Sequence, residues 1–204
     1  MLEAHDLAAR RGTARLFAGL GLSVAGGAAL IVTGANGRGK TTLLRILAGL
    51  TVPESGEIRL DGVPVAAHAA ALRAAVTFVG HAPALKDELS ARENLVSLVA
   101  LSGERASASQ IDDALDRVAL GSRATLPARA LSQGQRRRVG LARLALSRRR
   151  VWLLDEPVTA LDADGAALLG DLVGAHLGHG GLAVASTHAP LALEAARVRT
   201  LSLD

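Results

Sequence analysis

The sequence predicts an α/β fold built around a buried parallel sheet. Short apolar segments alternate along the chain with helical segments, which is the pattern of α/β proteins. The candidate strands at 28–33 and 151–155 contain the apolar runs ALIV and VWLL, as expected of strands that are covered on both faces. A glycine-rich loop lies between the first of these strands and a helix, an arrangement typical of strand–loop–helix units.

The remaining elements follow from periodicity and from turn residues. A strand is predicted at 20–24, a glycine pair at 26–27 forms a turn, and a helix begins at Lys40 and ends near Leu50. The stretch GEIRLDGVPV at 56–65 predicts a hairpin with an Asp-Gly turn. Further strands are expected at 75–79, 182–186 and 198–203, and helices at 91–120, at 134–147 and in the 160s and 170s.

Composition narrows the classes of function. The chain has no cysteine, which excludes disulfides and thiolate metal sites. Its net charge of +4 suits an anionic partner such as nucleotide, nucleic acid or a lipid surface, or reflects solvated arginines. Phe17, Phe78 and Trp152 are the only aromatic residues, so a stacking platform for nucleic acid is not expected.

A membrane-spanning helix is considered and rejected. Residues 16–37 carry no charge and are long enough to raise the question. The segment contains several glycines, however, and leads directly into the glycine-rich loop, so short strands and a turn are the better interpretation. The first residues, MLEAHDLAARR, have scattered charges and are not expected to form a secretory signal.

Residues 34–41, GANGRGKT, match the phosphate-loop pattern G-x-x-x-x-G-K-[ST] at every position. The glycines let the backbone turn its N–H groups toward phosphate oxygens, and the helix that follows favours anions at its N-terminus. Lys40 is expected to reach the β- and γ-phosphates, and Thr41 to offer its hydroxyl to Mg²⁺. A glycine-rich turn with an incidental lysine is the alternative. The candidate nucleotide-binding residues are Gly34, Ala35, Asn36, Gly37, Arg38, Gly39, Lys40, Thr41 and Thr42.

Residues 151–157, VWLLDEP, predict an apolar strand that ends in two acids. A carboxylate at a strand end beside a phosphate loop holds Mg²⁺ directly or through water, which is the role expected of Asp155. Glu156 is then the candidate base that orients the attacking water. Taken alone, the pattern also fits a strand that runs into a solvated turn, but the phosphate loop favours the catalytic interpretation.

Three further motifs resemble those of ABC ATPases. LSQGQRRRVGLARLAL at 131–146 resembles their signature segment, LSGGQ, TALD at 159–162 their D-loop, and STH at 186–188 the segment of their switch histidine. The motifs occur in the family's order and, with the phosphate loop, span nearly the whole chain. The resemblance implies a P-loop NTPase fold of the ABC ATPase type, as a single domain over 1–204. It would have a RecA-like core, an N-terminal antiparallel β subdomain and a small helical subdomain at about 82–140.

The resemblance also implies a mechanism. Two copies would pair head to tail around two ATP molecules, each held between the phosphate loop of one copy and the signature of the other. The signature residues concerned are Ser132, Gly134 and Gln135. His188 would contact the γ-phosphate and help to position water, and Asp162 would lie near the dimer seam. Opening of this homodimer after hydrolysis would drive a change in an integral membrane subunit.

The chain departs from the family pattern at three positions. Gln133 replaces a glycine of the signature, so its side chain must point away from the phosphate. Arg11 stands where the family stacks an aromatic residue on adenine, and it either stacks on the base or is a solvated loop residue. His81 replaces a glutamine that touches Mg²⁺ and water. Because imidazole suits Mg²⁺ less well than oxygen does, His81 is expected to respond more to the membrane partner.

The sequence is most similar to one subfamily, the ATP-binding subunits of haem-exporter-type complexes in cytochrome c maturation. His81 and Lys86 are ordinary residues of that subfamily. The resemblance implies a peripheral ATPase at the cytoplasmic face of the bacterial inner membrane, coupled to haem delivery. The alternatives are the ATPase of another exporter, for a lipid, lipoprotein or drug, and a soluble ABC ATPase acting on nucleic acid or the ribosome. The similarity lies in residues 15–24, 34–50, 80–95, 131–144 and 155–162.

Other basic groups are interpreted without a catalytic role. The arginine runs at 136–138 and 148–150 are expected to be solvated faces, with anionic lipid or nucleic acid as the alternative partner. The scattered histidines are expected to be surface or core residues, so haem binding by this chain itself is not expected. These histidines are His5, His68, His176 and His179.

Overall fold

The computed structural model describes residues 1–66 and 69–203, and these form two sheets. The first sheet contains β1 (Leu2–Arg11), β2 (Ala14–Val24), β4 (Ser55–Leu60) and β5 (Val63–Val65). Its strands are antiparallel and lie in the order β2-β1-β4-β5. The hairpin predicted at 56–65 corresponds to β4 and β5, and Asp61 and Gly62 both have positive φ at its turn.

Strand β1 was not expected from the sequence. The register of its pairing with β2 shifts between Ala4 and Leu7 and again between Leu7 and Ala9. Such irregularities interrupt the alternation of apolar and polar residues by which a strand is recognised. Its partner β2 is also longer than the strand predicted at 20–24, because β2 begins at Ala14.

The second sheet is parallel and forms the centre of the molecule. Its strands are β3 (Ala29–Thr33), β6 (Val76–Val79), β7 (Val151–Asp155), β8 (Leu182–Ser186) and β9 (Val198–Ser202). They lie in the order β6-β7-β8-β3-β9. Every residue of β7 and β8 is buried, as the uninterrupted apolar runs predicted.

Six α-helices occur in the described part of the chain. The helix predicted over 91–120 is interrupted after Leu101, where Gly103 takes a positive φ, and a new helix starts behind the capping residue Ser107. The short helix before β6 was not expected. The helices are α1 (Lys40–Leu47), α2 (Ala70–Ala75), α3 (Ala91–Leu101), α4 (Ala108–Arg117), α5 (Gln133–Leu146) and α6 (Ala163–Gly178).

Helix α5 belongs to two apolar clusters at once. Val139 packs with α3 and α4 in a helical cluster, whereas Leu141 and Leu144 pack against the parallel sheet together with α6. The helical subdomain predicted at about 82–140 would therefore share α5 with the core. A rigid helix that packs on both bodies is a mechanical connection between them.

No helix within residues 1–66 and 69–203 is long and apolar enough to cross a membrane. The uncharged stretch at 16–37 forms most of β2, a turn, β3 and the beginning of the phosphate loop. Val24, Leu30 and Val32 of this stretch are buried in an apolar cluster that contains residues of both sheets.

Two leucines provide a matched test of this packing. Leu153 is fully buried in β7, whereas Leu101 at the end of α3 is 85% exposed. We expect Leu153→Ala to lower the free energy of unfolding by about 2–5 kcal/mol, because it leaves a cavity in the central sheet. Leu101→Ala should change it by less than about 0.5 kcal/mol. Urea unfolding of both variants measures the difference, and equal shifts would contradict this account of the core.

Candidate functional site

Four segments of the candidate site leave the parallel sheet at the same edge. The phosphate loop follows β3, the segment with His81 follows β6, Asp155 ends β7, and His188 follows β8. These strands are neighbours in the order β6-β7-β8-β3. Because the carboxyl ends of parallel strands point the same way, the segments converge outside the sheet edge, which is where open α/β sheets bind ligands.

The phosphate loop closes tightly around the start of α1. Gly34 has φ 133°, and a Cβ atom there would lie 2.5 Å from the carbonyl oxygen of Leu203. Gly39 is the capping residue of α1, has φ 97°, and forms no side-chain cap. Because glycine has no side chain, Gly39 accepts no hydrogen bond from the first-turn N–H groups of α1, and these groups can donate to an anion.

Lys40 lies almost buried in this loop, with 8% of its surface exposed. Its Nζ donates to the carbonyl oxygens of Gly34 at 2.7 Å and Ala35 at 3.4 Å, and lies 3.1 Å from Nε2 of His188. An ammonium group can only donate, so Nε2 accepts and the ring proton belongs on Nδ1. The 3.5 Å distance between His188 Nε2 and Glu156 Oε1 is therefore not a hydrogen bond.

Asp155 is held by two hydroxyl groups. It is 2% exposed, and its Oδ1 accepts hydrogen bonds from Thr41 Oγ1 at 3.1 Å and Ser186 Oγ at 2.7 Å. The second bond follows from the register of the sheet, in which Asp155 lies opposite Ser186. Adjacent carboxylate and hydroxyl oxygens suit a hard divalent cation whose remaining ligands are phosphate oxygens and water.

Glu156 adopts a backbone conformation that is unusual for its residue type. Its φ is 48°, and its N–H lies 3.0 Å from the carbonyl oxygen and 3.1 Å from the hydroxyl of Ser186. A non-glycine residue in this region is strained by about 1–3 kcal/mol and persists only where its surroundings hold it. The turn aims the carboxylate, with its side chain 19% exposed, toward His188.

These segments enclose a cavity of about 240 Å³. A larger cavity of about 740 Å³, lined by Arg148, Arg149 and Arg150, contains none of the predicted site residues. We therefore assign the site to the smaller cavity, which collects the phosphate loop, an acidic strand end and a histidine. Its lining residues are Arg11, Asn36, Gly37, Gly39, Lys40, Thr41, Thr42, His81 and Glu156.

Arg11 and His81 are both exposed at the rim of the cavity. Arg11 ends β1, and its Nη2 donates a long hydrogen bond of 3.5 Å to the carbonyl oxygen of Gly37. The structure thus brings Arg11 to the phosphate loop, although β1 is distant from that loop in sequence. Gly34, Ala35 and Arg38 complete the loop, with Ala35 and Arg38 exposed to solvent.

The signature residues Ser132, Gly134 and Gln135 lie at the start of α5 and do not line this cavity. Ser132 caps α5: its Oγ accepts from Gln135 N–H at 3.2 Å, and Gln135 Oε1 accepts from Ser132 N–H at 3.0 Å. A Cβ atom on Gly134 would lie 2.8 Å from the carbonyl oxygen of Ala160, so α5 and the segment at 159–162 pack closely. Gln133 is exposed.

Asp162 has two local partners. It accepts a hydrogen bond from the Gly165 N–H at 3.0 Å as the capping residue of α6, and it pairs with Arg138 at 2.5 Å. The hydrogen bond from Arg138, followed by the one from Gly165, lowers the pKa of the Asp162 carboxyl group. Its side chain is still 67% exposed, so it remains accessible to a second molecule.

The expectation of solvated arginines is wrong for the run at 136–138, in which no side chain is more than 20% exposed, and for Arg149. Arg137 is 3% exposed, and Arg149 donates to the carbonyl oxygens of Arg73, Val76 and Ser102. The helical period could have revealed the burial of Arg137, because Arg137 precedes the inward-facing Leu141 by one turn of α5. Ser186, which supports Asp155 and Glu156, was also not singled out, since its role depends on strand register.

His5, His176 and His179 do not line the cavity. His176 stacks on Trp152 with ring centroids 3.8 Å apart, and burial lowers its pKa. His5 and His179 are exposed, and His68 lies outside the described residues.

Comparison with known proteins agrees with this geometry. The family described as ABC transporter matches residues 17–159. The cytochrome c biogenesis ATP-binding export protein CcmA of Aromatoleum aromaticum is 50% identical over 95% of this chain and 92% of its own length. An ABC transporter ATP-binding protein from Pyrococcus furiosus has a TM-score of 0.83 at 26% identity, over 98% of this chain and 96% of its own.

A second solved structure has a similar fold. It is an ATP-binding cassette in a dimeric post-hydrolysis state bound to ADP and Pi, with a TM-score of 0.80 at 24% identity. The alignment covers 93% of this chain and 88% of that one. The predicted α/β fold of the ABC ATPase type is thereby confirmed, and the chain belongs to the ATP-binding family of ABC transporters and, within it, to the cytochrome c biogenesis ATP-binding export proteins of the CcmA type.

Proposed function

We propose that this chain hydrolyses ATP as the ATP-binding subunit of an export complex for cytochrome c maturation, and that the hydrolysis is coupled to haem delivery. The observation that supports the hydrolytic part is the site at the sheet edge: the phosphate loop and Glu156 line one cavity, and Asp155 and His188 contact Thr41 and Lys40 of that loop. The place in cytochrome c maturation is supported by the similarity to CcmA proteins over nearly the whole chain.

ATP binds with its phosphates in the phosphate loop. The amides of the loop and of the first turn of α1 donate to the phosphate oxygens, and Thr42 adds its hydroxyl. The Lys40 ammonium moves from the carbonyl oxygen of Gly34 and from His188 to the β- and γ-phosphates. This exchange replaces neutral acceptors by anionic ones, which form the stronger charge-assisted hydrogen bonds. Arg11, at the rim, lies where it can cover the base.

Thr41 and Asp155 would hold Mg²⁺, since their hydroxyl and carboxylate groups lie side by side, with Thr41 Oγ1 and Asp155 Oδ1 3.1 Å apart. When bound, Mg²⁺ neutralises charge on the β- and γ-phosphates. No group of three His, Cys, Asp or Glu side chains suited to a metal occurs in the described residues.

Glu156 orients the attacking water and accepts its proton. Its strained backbone, supported by Ser186, aims the carboxylate into the cavity. His188 assists once Lys40 has left its Nε2, because that nitrogen can then carry the ring proton and donate a hydrogen bond to the γ-phosphate. The contact between Lys40 and His188 therefore distinguishes the nucleotide-free site from the loaded one.

The signature acts across a head-to-tail homodimer. Ser132, Gly134 and Gln135 do not line the cavity of their own chain, and in a head-to-tail pair they face the phosphates bound by the second copy. The Ser132 hydroxyl accepts from Gln135 N–H and retains its proton for a phosphate oxygen. The exposed Gln133 stays outside this contact, and Asp162 lies at the seam.

Integral membrane subunits bind the chain at the cytoplasmic face of the inner membrane. The exposed His81, in the segment after β6, lies between the cavity and the helical region and is placed to respond to that partner. A nucleic-acid partner is not part of this proposal, since the chain presents no aromatic stacking platform.

Lys40→Ala should weaken ATP binding by at least about tenfold, because a charge-assisted hydrogen bond contributes about 1.5–3 kcal/mol. Titration with a fluorescent ATP analogue measures the affinity. Arg45→Ala is the matched control, since Arg45 is an exposed cation on the same helix outside the cavity. Unchanged affinity in Lys40→Ala would remove Lys40 from phosphate binding.

Glu156→Gln should bind ATP normally and hydrolyse it at least about 100-fold more slowly, because the amide cannot accept the proton of water. The ATP-bound homodimer should then accumulate and become visible by size-exclusion chromatography with ATP. Turnover near the wild-type rate would exclude Glu156 as the base.

The role in cytochrome c maturation is tested in a bacterium that carries Glu156→Gln on its chromosome. Covalent haem in c-type cytochromes should be lost, whereas b-type cytochromes, which bind haem without covalent attachment, remain. Quantification of both haems in membranes and periplasm provides the measurement. Unchanged covalent haem would leave the assignment as an ATPase intact, but the chain would then belong to another exporter.

A further inference from the structure

Arg137 on α5 uses its whole guanidinium group within the protein. Nε donates to the carbonyl oxygen of Pro157 at 3.3 Å, Nη1 to those of Gly80 at 2.7 Å and His81 at 2.8 Å, and Nη2 to those of Asp155 at 3.0 Å and Glu156 at 2.7 Å. Arginine has five N–H donors, and here each has its own carbonyl oxygen.

This arrangement is specific to arginine. Lysine offers three donors from a single nitrogen and glutamine only two, so neither can reach five carbonyl groups in one plane. The residue is 3% exposed, and its acceptors are main-chain dipoles rather than a carboxylate. Burying a cation in this way is costly unless the contacts it makes are needed.

The five carbonyl groups belong to two segments that both border the nucleotide cavity. One is the segment after β6 with His81, and the other is the turn after β7 with Glu156. Arg137 itself lies on the helix that begins with the signature residue Ser132. A single buried side chain therefore joins three parts of the site that act at different points of the ATP cycle in the proposed function.

Glu156 depends on this contact for its conformation. Its N–H donates to Ser186, and its carbonyl oxygen accepts from Arg137 Nη2 at 2.7 Å and from the Thr159 N–H at 3.2 Å, so Arg137 makes the shorter of the two bonds to that oxygen. With φ at 48°, the residue would relax toward a commoner conformation if the Arg137 bond were lost, because the longer bond from Thr159 lies within the same turn and would move with it. The direction of its carboxylate would then change.

We infer that Arg137 is a positioning residue that fixes the Glu156 backbone and ties it to the His81 segment, so that displacement of that segment alters the aim of the Glu156 carboxylate. The inference rests on the proposed function, because it assigns Arg137 an effect on ATP hydrolysis. It predicts an effect on turnover rather than on nucleotide affinity, since none of the five bonds involves the phosphate loop.

The test compares Arg137→Lys with Arg143→Lys in the full chain purified with its membrane partners. Arg143 is a matched control because it is a partly buried arginine on the same helix that donates to Phe78, outside the cavity. Arg137→Lys should lower kcat by about 10- to 100-fold, with ATP affinity changed by less than about twofold, as expected of a misaimed group. Arg143→Lys should keep the wild-type kcat. Turnover is expressed per ATP-binding site counted by nucleotide titration, so unfolded subunits do not lower the value.

A double-mutant cycle with Glu156→Gln separates positioning from a general structural effect. If Arg137 acts through the Glu156 carboxylate, adding Arg137→Lys to Glu156→Gln should lower the residual rate by less than about threefold. An equal fall of kcat in both backgrounds, or a wild-type kcat in Arg137→Lys alone, would overturn the inference. Absence of ATP turnover in the wild-type complex would instead overturn the proposed function.

Discussion

The Asp155 carboxylate receives hydrogen bonds from residues that are far apart in the chain, and the rest of the site depends on these bonds. Thr41 reaches it from the start of α1 and Ser186 from the neighbouring strand β8. Both bonds require β7 to lie next to β8 in one register, with Asp155 opposite Ser186. A shift by one residue would turn the carboxylate to the other face of the sheet.

The carboxyl ends of the parallel strands also hold the Lys40 ammonium group and the Glu156 carboxylate in one small cavity without an ion pair between them. Lys40 is nearly buried and satisfies its ammonium group with two carbonyl oxygens and His188. Glu156 is kept at the end of β7 by contacts with Arg137 and Ser186, and its carboxylate does not pair with Lys40. Charged groups held by the main chain are oriented before a ligand arrives, which is the arrangement that favours electrostatic stabilisation of a reaction.

Helix α5 illustrates how far the sequence could be interpreted residue by residue. Its apolar positions predicted the inward face, and the segment LSQGQ pointed to a contact with phosphate. The run of three arginines concealed the buried one, because identical side chains in sequence take different places around a helix. Arg136 pairs with Asp87 and Arg138 with Asp162, whereas Arg137 points into the protein.

The sequence by itself determined the α/β class, the phosphate loop and the acidic strand end. These features are contiguous patterns whose chemistry is carried by neighbouring residues. Only the tertiary structure decided that β1 pairs irregularly with β2, that Lys40 meets His188, and that Arg137 binds the turn at Glu156. Each of these depends on strand order and on contacts across a long separation in the chain, which no local pattern of residues encodes.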